Sequence, residues 1–210
     1  MRRTCFAVVG LFAAMCLPIP AQTKPEFIIP EFLAPQYTAP EDAPSRVVIA
    51  GKDEPGERLV VTGRTLDGAK PVAGVSLYVF HTDAKGRYAT DTDDNLVAEL
   101  NPRLHGSLRT DGNGRYEYAT TRPGSYDNGA SHVHYIVKAQ GFKPLLIVLQ
   151  FDDDPFVVTR RKAGRPLVDD QNAFRNGACK GRPDCILTQP VTRDAQGVSH
   201  VTRDIQMVKE

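Results

Sequence analysis

A chain of 210 residues with 41% apolar content is long enough for one domain with a proper core plus appendages. Its 26 Lys and Arg stand against 25 Asp and Glu, a formal charge of +1, which excludes the basic footprint of a nucleic-acid binder. No apolar run is long enough to span a bilayer comfortably.

Residues 1–21 read as a secretory signal peptide. Arg2-Arg3 form the basic start, residues 5–17 the apolar run, and Ala21 a small residue before the cut. A twin-arginine signal is the weaker reading, since the Arg pair alone does not define one. A lipoprotein cut before Cys16 is disfavoured by bulky Met15. The mature chain is therefore expected to be exported, periplasmic or secreted, with no membrane association. It keeps Cys179 and Cys185, which in an oxidising compartment are expected to form a local disulfide. A zinc site is disfavoured there because no second cysteine pair exists.

Residues 22–45 form a proline-rich N-terminal arm, with Pro25, Pro30, Pro35, Pro40 and Pro44. Prolines cannot donate to a regular ladder, so the arm is expected to be extended. Phe27, Ile28, Ile29, Phe32 and Leu33 favour packing over a disordered linker. The arm would wrap its own domain or a neighbouring subunit, which leaves a homo-oligomer open.

Residues 46–210 read as one domain of short strands. Residues 58–63 are strand-like, and 72–80 alternate with Val75, Leu77 and Val79 on one face. Asp111-Gly112-Asn113-Gly114 is a turn, followed by the strand Arg115-Tyr116-Glu117-Tyr118. Residues 131–137 and 145–151 are further strands, and 202–208 a closing one. Residues 152–185 are charged and loop-like. The expected class is all-β, an antiparallel β-sandwich with a loop-rich C-terminal segment and the extended arm.

Within this frame, His132-Val133-His134 on a strand places both imidazoles on one face, because side chains alternate with a period of two. Two imidazoles can chelate one metal ion. Tyr88 and Tyr126, upstream, would make such a site hard and anionic, a set better suited to ferric iron than to zinc. Alone, the tripeptide could equally bind zinc or nothing, and a single strand tyrosine is more often packing than ligand. His81, His105 and His200 are isolated. Asp152-Asp153-Asp154 could take a calcium ion but is read as a solvated turn.

The order of motifs carries more. Gly63-Arg64-Thr65-Leu66-Asp67, Pro71-Val72-Ala73-Gly74-Val75, Ala84-Lys85-Gly86-Arg87-Tyr88, Thr110-Asp111-Gly112-Asn113-Gly114-Arg115-Tyr116, Arg122-Pro123-Gly124-Ser125-Tyr126 and His132-Val133-His134 follow one another. This string resembles the intradiol ring-cleavage dioxygenases, the family of protocatechuate 3,4-dioxygenase and catechol 1,2-dioxygenase. The resemblance covers roughly residues 58–151, with an echo at Arg203-Asp204-Ile205. The compact exported members and the protocatechuate type are the nearer comparison.

The resemblance implies a non-haem Fe(III) centre held by Tyr88, Tyr126, His132 and His134. Tyr88 corresponds to the tyrosine that stays bound, and Tyr126 to the one that leaves when substrate arrives. A hydroxide would complete five-coordination. It implies a catechol-type diol and dioxygen as the small-molecule partners. Cleavage would fall between the two hydroxylated carbons and give a muconate-type diacid. Tyr126 and the hydroxide would accept the two protons of the diol.

The string also departs from the family. An arginine is common three residues before the first histidine, where this chain has Gly129. Arg109, Arg122, Arg160 and Arg161 are candidates to replace it. The family's glutamine on the following strand falls on Val148, and Gln150, two residues on, faces the same side and is the candidate substrate-binding substitute. The alternatives are a non-catalytic transthyretin-like module or a metal- or carbohydrate-binding sandwich, since part of the string occurs in such modules.

Overall fold

The computed structural model describes residues 32–89, 99–126, 129–165 and 185–210. The signal-peptide reading and Cys179 therefore lie outside the described residues. In chain order the strands are β1 (Arg46–Val48), β2 (Arg58–Asp67), β3 (Lys70–Pro71), β4 (Ser76–His81), β5 (Leu104–Arg109), β6 (Arg115–Thr121), β7 (His132–Lys138) and β8 (Leu145–Phe151). One helix follows, α1 (Pro155–Lys162), and then β9 (Ile186–Gln189), β10 (Thr192–Arg193), β11 (Ser199–Thr202) and β12 (Ile205–Gln206).

They form two packed sheets. One runs β1-β6-β2-β11-β10, with β3 and β12 pairing the far end of β2; the other runs β5-β4-β7-β8-β9. The sandwich is mixed rather than purely antiparallel, because β1 pairs β6, β11 and β12 pair β2, and β9 pairs β8 in parallel. Chain segments that return from the opposite end of the sandwich can only dock this way.

The two sheets bury different patterns. In β2 the residues alternate buried and half-buried along Leu59, Val61 and Gly63, as expected of a sheet with one covered face. All six residues of β4 are buried, because this sheet is covered on both sides. Leu77 and Val79 point inward to meet Leu59, Val61, Tyr118, Val133, Tyr135 and Leu149 in the main core. Tyr78 and Phe80 point outward into a second, smaller core with Phe32, Tyr37, Tyr88, Ile136 and Leu146. The arm thus packs on its own domain. Phe32 lies 5.6 Å from Phe80 and Tyr37 5.1 Å from Tyr78 between ring centroids. The Tyr37 hydroxyl donates to the Leu100 carbonyl (2.6 Å), and the Arg109 guanidinium holds the carbonyls of Ala39 and Pro40.

Three expectations are corrected. The segment after residue 151 is not simply loop, because Pro155–Lys162 is helical. Asp154 caps it, accepting from the amides of Phe156 and Val157, and Pro155 opens its first turn. The three aspartates are not a solvated turn as a unit: Asp154 is 4% exposed, and Asp153 pairs with Arg122 and Arg193. The closing strand is two short strands, β11 and β12, divided at the buried Arg203. Residues 104–109 form a further strand, β5.

Candidate metal centre

Strand β7 alternates as its sequence requires. Val133, Tyr135 and Val137 enter the main core, so His132, His134 and Ile136 face the opposite side, the one covered by the arm. Both imidazoles are held neutral. Burial pushes the pKa of His132 down, and burial together with the neighbouring His132 pushes that of His134 well down. The Ala130 carbonyl, 2.8 Å from His132 Nδ1, can only accept, so the proton sits on Nδ1 and the Nε2 lone pair is left to point into the site. Phe80 stacks on His134 at 4.8 Å and 9° and fixes its ring plane.

The two tyrosines arrive on loops that are zipped together. The Gly124 amide donates to the Asp83 carbonyl (2.8 Å). Gly86 adopts φ +79°, and a Cβ there would lie 2.2 Å from the Ser125 carbonyl oxygen. Glycine is what lets the loop before Tyr88 touch the loop before Tyr126. The hydroxyls of Tyr88 and Tyr126 lie 3.0 Å apart, Tyr126 Oη is 3.1 Å from His132 Nε2, and His132 Nε2 is 2.9 Å from His134 Nε2. The ring centroids of Tyr88 and His134, 6.3 Å apart, close the circuit. The structure thus brings together all four residues selected as ligands.

The donor chemistry fits a metal ion. Four electron-rich atoms run in a chain of contacts of 2.9–3.1 Å, two of them imidazole nitrogens whose rings are buried and neutral. Among the described residues no three His, Cys, Asp or Glu side chains are grouped to hold an ion by themselves, so the phenols are needed. Two phenolates and two imidazoles are a hard set that favours a trivalent ion.

Gln150 lies directly across from His132 in the β7–β8 register, and its side-chain oxygen accepts from Thr188 (3.3 Å). Val148 is paired with His134 and is buried. The arginine candidates go elsewhere: Arg109 holds the arm, Arg122 pairs with Asp153 over the Phe151 ring, and Arg160 lies over Phe156 on α1. Two residues beside the cluster were not read as part of it in the sequence. Asp154 Oδ2 accepts from both the amide and the hydroxyl of Ser131 (3.2 and 2.7 Å), clamping the residue before His132. Glu99, 8% exposed, brings Oε1 to 3.5 Å from His134 Nε2. Neither position belongs to a motif. Cys185 is buried.

Fold and site together define a β-sandwich carrying a two-tyrosine, two-histidine cluster on one covered sheet face. The model of the family Dioxygenase_C, described as dioxygenase, matches residues 29–177. The chain belongs to this family, that of the intradiol ring-cleavage dioxygenases. It is 37% identical over 113 residues to the protocatechuate 3,4-dioxygenase beta chain of Burkholderia cepacia, a match covering 49% of this chain and 48% of that one. It is 32% identical over 124 residues to the hydroxyquinol 1,2-dioxygenase of Rhizobium sp. (strain MTP-10005), covering 50% and 41%. The matched segment thus spans less than half of these relatives. Its fold is similar to that of the dioxygenase domain of a carbohydrate-binding fusion protein from Streptomyces sp. SirexAA-E, at a TM-score of 0.55 and 24% identity, covering 82% of this chain and 94% of that one. It is also similar to that of catechol 1,2-dioxygenase from Acinetobacter radioresistens, at 0.58 and 21%, covering 82% and 59%.

Proposed function

We propose that the protein is an exported non-haem Fe(III) dioxygenase that cleaves catechol-type rings between the two hydroxylated carbons with O2, giving muconate-type diacids. The observation that carries this reading is the convergence of Tyr88, Tyr126, His132 and His134 on one sheet face. These four residues would hold the iron. When bound, ferric iron supplies Lewis-acid activation of the diol and a template for its reaction with O2.

The residues divide the remaining work. Tyr88 is 1% exposed and wedged against Phe80, whereas Tyr126 is only half-buried on a turn. Tyr126 is therefore the phenolate that a diol can displace, and its oxygen is the base that receives a diol proton. His132 and His134 keep their places, one by the Ala130 carbonyl and the Ser131–Asp154 clamp, the other by the Phe80 ring. Gln150, which pairs with His132 in the strand register, would hydrogen-bond the substrate. The buried face excludes water from the activated ring. Export is proposed from Arg2-Arg3 and the apolar run behind them, with Cys179 and Cys185 paired, a pairing supported by the disulfide-bonded state of Cys185.

The test is to load the purified protein with Fe(III) and record a visible spectrum and O2 uptake with a panel of catechols. A phenolate-to-iron charge-transfer band should colour it red-brown, and Tyr126→Phe should shift that band. Diol and O2 should disappear in equal amounts. A colourless protein that takes zinc instead would sink the assignment. The commitment of Arg109 and Arg122 to other partners favours, as a second reading, a metal-binding module without turnover; a coloured protein that consumes no O2 with any diol would establish it.

A further inference from the structure

The loop that carries Tyr126 begins with a cation whose partner lies on the turn that steers His132. Arg122 opens the segment Arg122-Pro123-Gly124-Ser125-Tyr126, and its guanidinium grips the Asp153 carboxylate with both terminal nitrogens, one of them 3.0 Å from Oδ2. The same guanidinium lies 4.7 Å above the ring of Phe151, a fully buried core residue at the end of β8. With a side chain only 13% exposed, it makes a fork-to-fork pair partly withheld from water, a stiffer contact than an ordinary surface ion pair. Arg193 and Glu57 complete an alternating ring of charges. Arg193 donates to Asp153 Oδ2 (3.0 Å) and to Glu57 Oε1 (3.1 Å), and the Glu57 carboxylate lies 3.8 Å from Arg122.

These contacts close a circuit. Asp153 is followed by Asp154, whose Oδ2 accepts from the amide and the hydroxyl of Ser131. Ser131 is followed by His132, and His132 Nε2 stands 3.1 Å from Tyr126 Oη. Tyr126 leads back along the chain to Arg122. Within that segment Pro123 fixes one backbone angle. Gly124 is held on both sides, its amide donating to the Asp83 carbonyl (2.8 Å) and its carbonyl accepting from the Thr82 hydroxyl (2.9 Å). The backbone before Tyr126 is thus pinned, and the side chain is the part left to swing.

Resting on the ferric reading above, we propose that Arg122 is a positioning residue for Tyr126: through Asp153 it locks the Tyr126 loop to the turn behind His132, and so sets how easily a diol displaces the phenolate. A phenolate on a pinned backbone competes for its place at a high effective concentration, and one on a loosened backbone at a lower one. Because the diol and Tyr126 compete for one position, whatever weakens the hold of Tyr126 strengthens that of the diol. The clamp gives up diol affinity in return for a phenolate that comes back to the same place once the product has gone.

The experiment uses the full chain loaded with Fe(III) and titrates catechol in the absence of O2, following the visible band. It compares wild type with Arg122→Lys and Asp153→Asn, and repeats both substitutions in a Tyr126→Phe background. Lysine keeps the charge of Arg122 but not its planar fork. Each single variant should bind catechol at least about fivefold more tightly than wild type, with a weaker charge-transfer band before catechol is added. In the Tyr126→Phe background neither substitution should change catechol affinity, because the residue through which the clamp acts is gone. Asp153→Asn decides the matter should Arg122→Lys not fold. A lower metal-free melting point with unchanged catechol affinity makes the clamp merely structural and overturns the proposal. An affinity change of the same size in the Tyr126→Phe background overturns it too, since the effect would not pass through Tyr126. Either result leaves the ferric reading standing, whereas a colourless wild type overturns both.

Discussion

At the scale of single residues, Asp154 shows how the chain aims an imidazole without touching it. One carboxylate oxygen caps α1 through the amides of Phe156 and Val157, and the other takes both polar hydrogens of Ser131. Asp154→Ala removes the cap, at about 1 kcal/mol, and strands the buried Ser131 groups, at about 1–3 kcal/mol. The sum, roughly 2–4 kcal/mol, should be measurable by urea denaturation, with Asp154→Asn milder because it keeps the acceptor oxygen. Ferric affinity should fall with it, since His132 loses its anchor. The four candidate ligands were legible in the sequence because each sits in a motif of fixed spacing. Composition would not have found them: Tyr116, Tyr118 and Tyr135 are equally plausible strand tyrosines, yet all three are in the main core, with burial pushing their hydroxyls well above the usual phenol range. The clamp by Asp154 was not legible, because it arises from a contact with Ser131 across 23 residues.

At the scale of elements, the site depends on two loops pressed closer than side chains allow. Gly86 is in a positive-φ conformation against the Ser125 carbonyl, and a Cβ at Gly124 would lie 2.5 Å from the Ala84 carbonyl. Gly86→Ala should cost about 1–3 kcal/mol from strain and overlap and should spread Tyr88 from Tyr126. The iron-loaded variant would then show a weaker charge-transfer band. Gly112→Ala, where a Cβ meets nothing within 4 Å, is the control and should stay within about 0.5 kcal/mol of wild type. The long strands β2, β7 and β8 were readable from period-two alternation and apolar runs. By contrast β5, in Leu104-His105-Gly106-Ser107-Leu108-Arg109, hides behind a glycine that admits Ile49 and Val47 at 2.8–3.3 Å from its would-be Cβ. Helix α1 was missed because Pro155–Lys162 is short and buries only Val157, so it lacks an apolar stripe to read. The parallel pairings of β1, β9, β11 and β12 are tertiary outcomes that no local pattern encodes.

At the scale of the whole molecule, the arm and the candidate site share one face of one sheet, so the second core covers the tyrosine–histidine cluster while the first holds the sandwich together. That burial has an acid-lability built into it. His81 is fully satisfied as a neutral ring, with Nδ1–H donating to the Thr82 carbonyl (2.7 Å) and Nε2 accepting from Thr120 (2.8 Å). Burial lowers its pKa from 6.5 to about 4. Above pH 6.5 it is neutral in both folded and unfolded chains and adds no pH dependence. As pH falls below 6.5 the unfolded chain takes up a proton that the folded one refuses, so stability drops until about pH 4, by roughly 3 kcal/mol in all. His132 and His134 are lowered too, so they add loss of the same sign in the metal-free protein. Urea titrations at pH 7 and pH 5 should show the metal-free wild type losing stability and His81→Gln losing less. Iron should remove the part due to His132 and His134, because a ligand nitrogen cannot bind a proton while it binds a metal. Identical pH slopes with and without iron would mean that the two imidazoles do not ligate it.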